Sequence, residues 1–215
     1  MDCKVLDKVP KLLQSTKSIR KDTCWMLSNI AAGNVSQIHE VCKKAVILSP
    51  LVTAIRSSEW EIRKEAIWAA YNIAAGGNDG HVVSIVFFGA IENLCENLCG
   101  SDTEIIMAVL NTLDNILKVG KRQGKAYECL VEEAGGVDKI EELQQHRSDA
   151  IYVKARSILE QYFQSEEADI VDENIAPSSI GGSYEFCVPQ KLFLDDNNEN
   201  ISEKKTPFSS VSKQV

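Results

Sequence analysis

A spacing of 43 residues recurs along the first three quarters of the chain. Trp25 and Trp68 are 43 apart, Asn29, Asn72 and Asn115 follow at the same interval, and Ile30, Ile73 and Ile116 keep step beside them. Leu27, Ala70 and Leu113 match, as do Asp22 with Glu65 and Gly33 with Gly76. Self-similarity at this period marks a stacked array. Each unit is one supersecondary motif that cannot bury its own apolar face, so it buries that face on its neighbours. No local propensity constrains the fold as strongly.

Each period reads as three helices. Within residues 34–76, a short helix is predicted over 37–44 and a second over 47–56, with Pro50 near its start, where a missing N–H does least harm. A third is predicted over 59–75, with Trp60, Ile62, Ala66, Ala69 and Ile73 at helical spacing and Gly76-Gly77 as its stop. The next unit is 77–120, ending at Gly120, and the last is 121–163, with Gly135-Gly136 between its first two helices. Residues 1–33 supply only a second helix, 5–13, and a third, 18–32; on this reading Val5, Val9, Leu12 and Leu13 are left apolar and uncapped. Three helices per unit favour an armadillo repeat over a two-helix HEAT repeat. The expected fold is therefore all-α: an armadillo-repeat superhelical solenoid of about three and a half repeats over 1–163, with its third helices along the inner surface.

Charge narrows the partners. Residues 1–163 hold 19 Lys+Arg against 21 Asp+Glu, and residues 164–215 hold 4 against 10, so most of the net −8 sits in the tail. No basic surplus exists to meet a phosphate backbone, which argues against nucleic acid and for cationic partners. Seven scattered cysteines with no CxxC framework read as structural thiols in a reducing compartment. Cys95 with Cys99, and His39 with Cys42, stand at helical spacing but fall short of four ligands, so no metal is expected. The start of the chain holds Asp2, Lys4, Asp7 and Lys8, which is no signal peptide, and the longest apolar run, 82–90, is too short to cross a membrane. A soluble intracellular protein is expected. No nucleophile–base set, phosphate loop or cofactor fingerprint is present; His39, His81 and His146 lie in separate repeats, where a surface position is expected, and the enzyme reading is rejected along with any cofactor.

The chemistry lies in a pattern that occurs twice: acid, two residues, Trp, three residues, Asn. The copies are Asp22-Trp25-Asn29 and Glu65-Trp68-Asn72. Offsets of three and four put the three side chains of each copy on one helix face. Core packing accounts for Trp60, but a buried stripe of indole, amide and carboxylate would need partners for its polar groups, so an exposed, working stripe is expected. Neighbouring helices lie ~8–10 Å apart. An extended peptide rises ~3.3 Å per residue. One repeat step therefore matches about three ligand residues. Asn offers both donor and acceptor to a peptide backbone whatever its side chains. Indoles leave slots for the alkyl stems of Lys or Arg, with ~0.5–2 kcal/mol of cation–π attraction each. Asp22 and Glu65, one turn before the indoles, are placed to attract the cationic heads.

At this point "KDTCWMLSNIAAG" and "RKEAIWAAYNIAAGG" resemble the signal-binding repeats of importin alpha. The similarity continues through "GAIENLCENLCGSDTEIIMAVLNTLDNILKVG" and "YECLVEEAGGVDKIEELQQHRSDAIYVKARSILEQYF", covering about residues 5–163. The resemblance implies an adaptor that shuttles between cytoplasm and nucleus, carries basic nuclear localisation signals and works with importin beta. By position, Trp25, Asn29, Trp68 and Asn72 fall on the family's minor signal site, with Lys21, Asp22, Ser28 and Glu65 beside it. Asp22 stands where Glu is usual, Asn111 where a third Trp would be and Ala108 where a third acid would be. The family's importin beta binding segment and the repeats of its major signal site are not found here, so independent import is not expected. The alternative is a truncated or non-transport scaffold of the catenin type; such scaffolds grip with rows of basic residues, and the paired Trp/Asn rungs favour the adaptor.

Beyond Phe163 the helical periodicity stops. Glu166, Glu167, Asp169, Asp172 and Glu173 open a stretch, 164–215, that reads as a mostly disordered acidic tail. The resemblance implies that the last repeat and such a tail help to bind an export receptor; a solubilising tail is the equal alternative. "GGSYEFCVPQ" resembles the short aromatic segment near the family's end, and Lys204-Lys205 is too short for a localisation signal.

Overall fold

A computed structural model describes residues 4–164, together with two short strands in the tail. A 3-10 turn, Lys4–Asp7, leads into α1, Val9–Leu12, and α2, Lys17–Ala31. Three triplets follow. The first is α3, Val35–Cys42, α4, Ala45–Ala54, and α5, Trp60–Gly76; the second is α6, Asp79–Phe87, α7, Ala90–Cys95, and α8, Thr103–Gln123. The third is α9, Tyr127–Glu133, α10, Gly136–Glu142, and α11, Asp149–Tyr162. The long third helices α2, α5, α8 and α11 pack in chain order into one layer, and the second helices α1, α4, α7 and α10 form another. This is the armadillo solenoid. None of the described helices is long and apolar enough to cross a membrane.

The triplets start and stop for local reasons. Asn34 and Asn78 each begin a first helix with a reciprocal capping box, closed by Gln37 and His81 respectively. Asp102 caps α8 by accepting the N–H of Glu104 at 3.1 Å and of Ile105 at 3.2 Å. α8 does not stop at Gly120. It runs on to Gln123 and ends at Gly124, whose φ of +61° is the left-handed cap that a side chain would strain. Gly120 serves another purpose: a Cβ there would lie 2.9 Å from the Lys125 carbonyl and from the Tyr127 ring, so only a hydrogen lets the chain turn into α9. Pro50 also departs from expectation. It is the sixth residue of α4, not an early one, and the carbonyl it leaves without a donor belongs to Val46, whose residue is 64% exposed in the first turn.

Fully buried Leu27, Ile62, Ile67, Ile73, Leu113 and Ile116 run up the third-helix layer, and Ile47, Leu48, Leu51 and Leu94 face them from the second helices. Each such side chain contributes ~1.5–3 kcal/mol. The repeats are also joined by side chains that reach back to carbonyls one repeat earlier. Asn93 Nδ2 donates to the Val52 carbonyl at 2.9 Å, Asn97 Nδ2 to Ile55 at 3.1 Å and Lys139 Nζ to Cys95 at 3.1 Å. These bonds add a donor from the next repeat to carbonyls at or near helix ends, where the regular intrahelical pattern runs out. At the amino-terminal end, α1 packs on α2 and α4, so Val9 and Leu13 are buried and Leu12 half-buried. Only Val5 of the four apolar residues expected to be uncapped is exposed.

Cys24, Cys42 and Cys95 are buried, while Cys99 and Cys129 are exposed, so the expectation of buried thiols holds for three of the five described. Burial pushes the first two thiols up to about 12 and the third to about 11, where they are inert. The tail is a separate unit in which Ser178–Ile180 pairs antiparallel with Ser183–Glu185, with Ser178 opposite Glu185 and Ile180 opposite Ser183. No pattern in the sequence announces the pairing of these six residues. The acidic run from Glu166 to Glu173, most of the aromatic segment and Lys204-Lys205 lie outside the described residues.

Candidate peptide-binding face

α2 and α5 pack along one another and carry all eight residues that the sequence singles out. Trp25 is 57% exposed. Trp68, one repeat on, is half-buried and packed against the core, its ring meeting Tyr71 edge-on with centroids 5.6 Å apart. The difference has a local cause. Tyr71 stands three residues after Trp68, on the same helix face. The residue in register after Trp25 is Ser28, too small to cover an indole. Trp60 is partly buried against the core, with the Arg63 guanidinium 5.2 Å from its ring centroid. It sits at the start of α5, two turns from Trp68.

The amides are engaged but not exhausted. Asn29 is exposed and donates Nδ2–H to the Trp25 carbonyl at 2.9 Å. Asn72 is half-buried and donates Nδ2–H to the Ser28 carbonyl at 2.9 Å, bridging α5 to α2. A primary amide has a second N–H and a carbonyl oxygen still to offer. Ser28 departs from expectation: it is buried, its hydroxyl donates to the Trp25 carbonyl at 2.9 Å, and its part in the face is the carbonyl that holds Asn72.

The acids differ in the same way. Asp22 is exposed and lies 3.5 Å from Lys21 Nζ, so its field is partly offset by its own neighbour. Glu65 is half-buried, and among the described residues it forms no ion pair. Partial burial raises its carboxyl above the usual range, with Lys64 and Lys21 pulling the other way. Lys64 is turned toward Asp102, 3.5 Å away.

On the next helix the pattern changes, as the sequence implies. Asn111, Ala108 and Met107 of α8 occupy the register positions of Trp68, Glu65 and Lys64. Sequence reasoning missed what holds this end of the layer together. Asp114 is 5% exposed and accepts from Lys118 Nζ at 2.8 Å, Lys154 Nζ at 2.5 Å and Tyr162 Oη at 2.9 Å. Burial raises the carboxyl, but the bonds from Lys118, Lys154 and Tyr162 outweigh it and hold it below the ordinary carboxylate range. Burial and the same carboxylate push the Tyr162 hydroxyl up. The readable signal was a lone carboxylate among the apolar residues of α8, with Lys four residues on. Lys154 stands three periods after Trp25 yet turns onto Asp114, closing the ladder with an ion pair.

Away from this face, two histidines expected at separate surface positions meet. His39 Nδ1 lies 3.3 Å from His81 Nε2, and His81 is 5% exposed. His81 Nδ1 accepts the Asn78 N–H at 3.2 Å, so the neutral ring carries its proton on Nε2 and donates it to His39. Burial, then His39, hold the His81 ring below the ordinary histidine value. Among the described residues no group of three or more His, Cys, Asp or Glu is arranged to hold a metal.

Stacked three-helix units define an armadillo-repeat protein, and comparison with known proteins bears this out. Residues 125–178 match the family model described as an atypical Arm repeat. A designed armadillo repeat protein solved in complex with the peptide (KR)4 superposes with a TM-score of 0.61 at 31% identity, over 72% of this chain and 63% of that one. Computationally designed armadillo repeat proteins for modular peptide recognition give a TM-score of 0.59 at 27% identity, over 70% of this chain and 61% of that one. The repeats are homologous to those of importin alpha. Importin subunit alpha-4 of Arabidopsis thaliana is 45% identical over 161 residues, 71% of this chain and 30% of that protein. Importin subunit alpha-1a of Oryza sativa subsp. japonica is 38% identical over 177 residues, 79% of this chain and 34% of that protein. The chain thus spans about a third of the length of the curated relatives it matches. Importin alpha subunits and armadillo proteins are non-enzymatic adaptors and scaffolds.

Proposed function

We propose that this importin-alpha-like scaffold binds Lys/Arg-rich peptides, of the nuclear localisation signal type, in extended form across α2 and α5. The observation that carries the reading is the repeated rung: an indole with an Asn one turn on and an acid one turn before, on two adjacent third helices. Trp25 and Trp68 flank the alkyl stem of a ligand cation, Glu65 and Asp22 draw its head, and Asn29 and Asn72 take the ligand backbone. On this reading the protein serves nuclear import as a cargo adaptor and moves between cytoplasm and nucleus. The last repeat and the acidic tail are proposed to contact an export receptor.

Titration of the chain with a fluorescent Lys/Arg-rich peptide, against a control with the basic residues replaced by Ala, tests this. Binding is expected near micromolar, about −8 kcal/mol, because only two rungs are complete. It should weaken several-fold from low to physiological salt, since the acids are partly exposed and screened. Equal affinity for the Ala control would remove the reading and leave the scaffold alternative.

A further inference from the structure

The register positions of the ladder change chemistry along the chain. The position of Lys21 and Lys64 becomes Met107 and then Ala150; the position of Asp22 and Glu65 becomes Ala108 and then Ile151. Two charged rungs are followed by two apolar ones at the same 43-residue step. The structure shows what this does. Beyond Trp68 lies a cavity of about 370 Å³, lined by Trp68 and Tyr71 of α5, by Met107, Ala108 and Asn111 of α8, and by Ile151 of α11. It is continuous with the proposed peptide face, because Trp68 walls both and Asn111 stands one period after it.

We infer that this slot takes an apolar side chain of the same extended peptide, three residues from the cation held between Trp25 and Trp68. The inference rests on the proposed peptide-binding reading and adds a specificity to it. The spacing follows from one repeat step matching about three extended residues. The chemistry follows from the lining. An ammonium in the slot gives up water against half-buried Met107, with Ala108 and Ile151 buried behind it, and the one carboxylate at its edge, Glu104, is exposed and screened. A leucine or aromatic side chain instead covers apolar surface on both sides, while Asn111 continues the amide row for the ligand backbone.

The test is a peptide series titrated against the full chain. A constant Lys-Arg core is flanked by alanines, with leucine, phenylalanine or lysine placed three residues before or after the core lysine. Leucine and phenylalanine should tighten binding about tenfold over lysine, the scale set by partial burial of such a side chain, and on one side of the core only. Met107→Gln, at a half-buried position, should remove that preference while leaving the affinity of the alanine-flanked core unchanged. A core that binds with lysine equal to or better than leucine at both positions overturns the apolar slot and leaves the peptide face standing. A core that does not bind at all overturns both.

Discussion

The ion-pair knot at Asp114 offers a direct measurement of what fixes the end of the solenoid. Replacing Asp114 by Ala leaves Lys154, whose side chain is 22% exposed, without its 2.5 Å partner, and leaves the Tyr162 hydroxyl without an acceptor. Removing one member of a buried pair costs ~3–5 kcal/mol because the other charge stays behind. Lys118 adds little, since its side chain is 44% exposed and such pairs contribute ~0–1 kcal/mol. Lys154 keeps some water, which places the expected loss near the lower end, about 3 kcal/mol. For a folded region of this size that is about 6–12 °C in Tm. Thermal melts and urea titrations of Asp114→Ala, with tryptophan emission as one probe and circular dichroism as the other, should agree if the repeats unfold together. A double-mutant cycle with Lys154→Met isolates the pair. Because the carboxyl is held below its unfolded value, its contribution is complete above about pH 4–5 and disappears as pH falls through the depressed value. The acid-induced fall in Tm should therefore be shallower in Asp114→Asn. Less than about 0.5 kcal/mol lost on Asp114→Ala, the scale of an ordinary surface change, refutes the argument.

Three other substitutions probe the remaining links. Trp25→Ala should leave Tm within about 1–2 °C, because the residue is 57% exposed, yet weaken the basic peptide about fivefold or more through the lost cation–π surface; normal affinity would remove Trp25 from the face. Trp60→Ala should do the reverse, costing ~3 kcal/mol of stability with unchanged affinity in the folded fraction. For His81, whose folded value is depressed, stability is complete above about pH 6.5 and falls as pH drops through the lowered value. The difference in Tm between pH 7.5 and pH 5.5 should shrink in His81→Asn, and an unchanged difference would mean that the histidine contact is not coupled to folding.

The sequence carried the repeat period, the three-helix unit and the two full rungs, because these repeat and repetition cancels local noise. What it did not carry depends on contacts between repeats. Trp25 and Trp68 are equivalent in sequence, yet one is exposed and the other covered, since Tyr71 and Ser28 differ beside them. Gly120 looked like a helix stop because a glycine near the end of a periodic run usually is one. The cause of its glycine is the approach of Lys125 and Tyr127, which no spacing rule reports. The meeting of His39 and His81 needs the α3–α6 packing to be known first. Val9 and Leu13 are buried because α1 docks on α2 and α4, a contact that the spacing along 5–13 does not show.

The proposed ligand preference follows from how the two faces of each third helix divide the work. One face supplies Leu27, Ala70 and Leu113, buried and 43 residues apart, the spacing that stacks the helices. The other presents Trp25, Asn29, Trp68 and Asn72 at the same spacing, so the stacking distance is also the ligand repeat. Asn72 links the two roles, since its bond to the Ser28 carbonyl fixes α5 against α2 at the rung itself. A ladder set by core packing is rigid, and a rigid ladder discriminates by which side chain meets each slot more than by adjusting to it. Lys21 beside Asp22 sharpens this, because a ligand cation must compete with an ammonium 3.5 Å from the carboxylate, whereas Glu65 has no such competitor among the described ion pairs. The cation nearest Glu65 should therefore dominate affinity. Glu65→Gln is expected to weaken the basic peptide more than Asp22→Asn does, and the reverse order would place the working acid on α2.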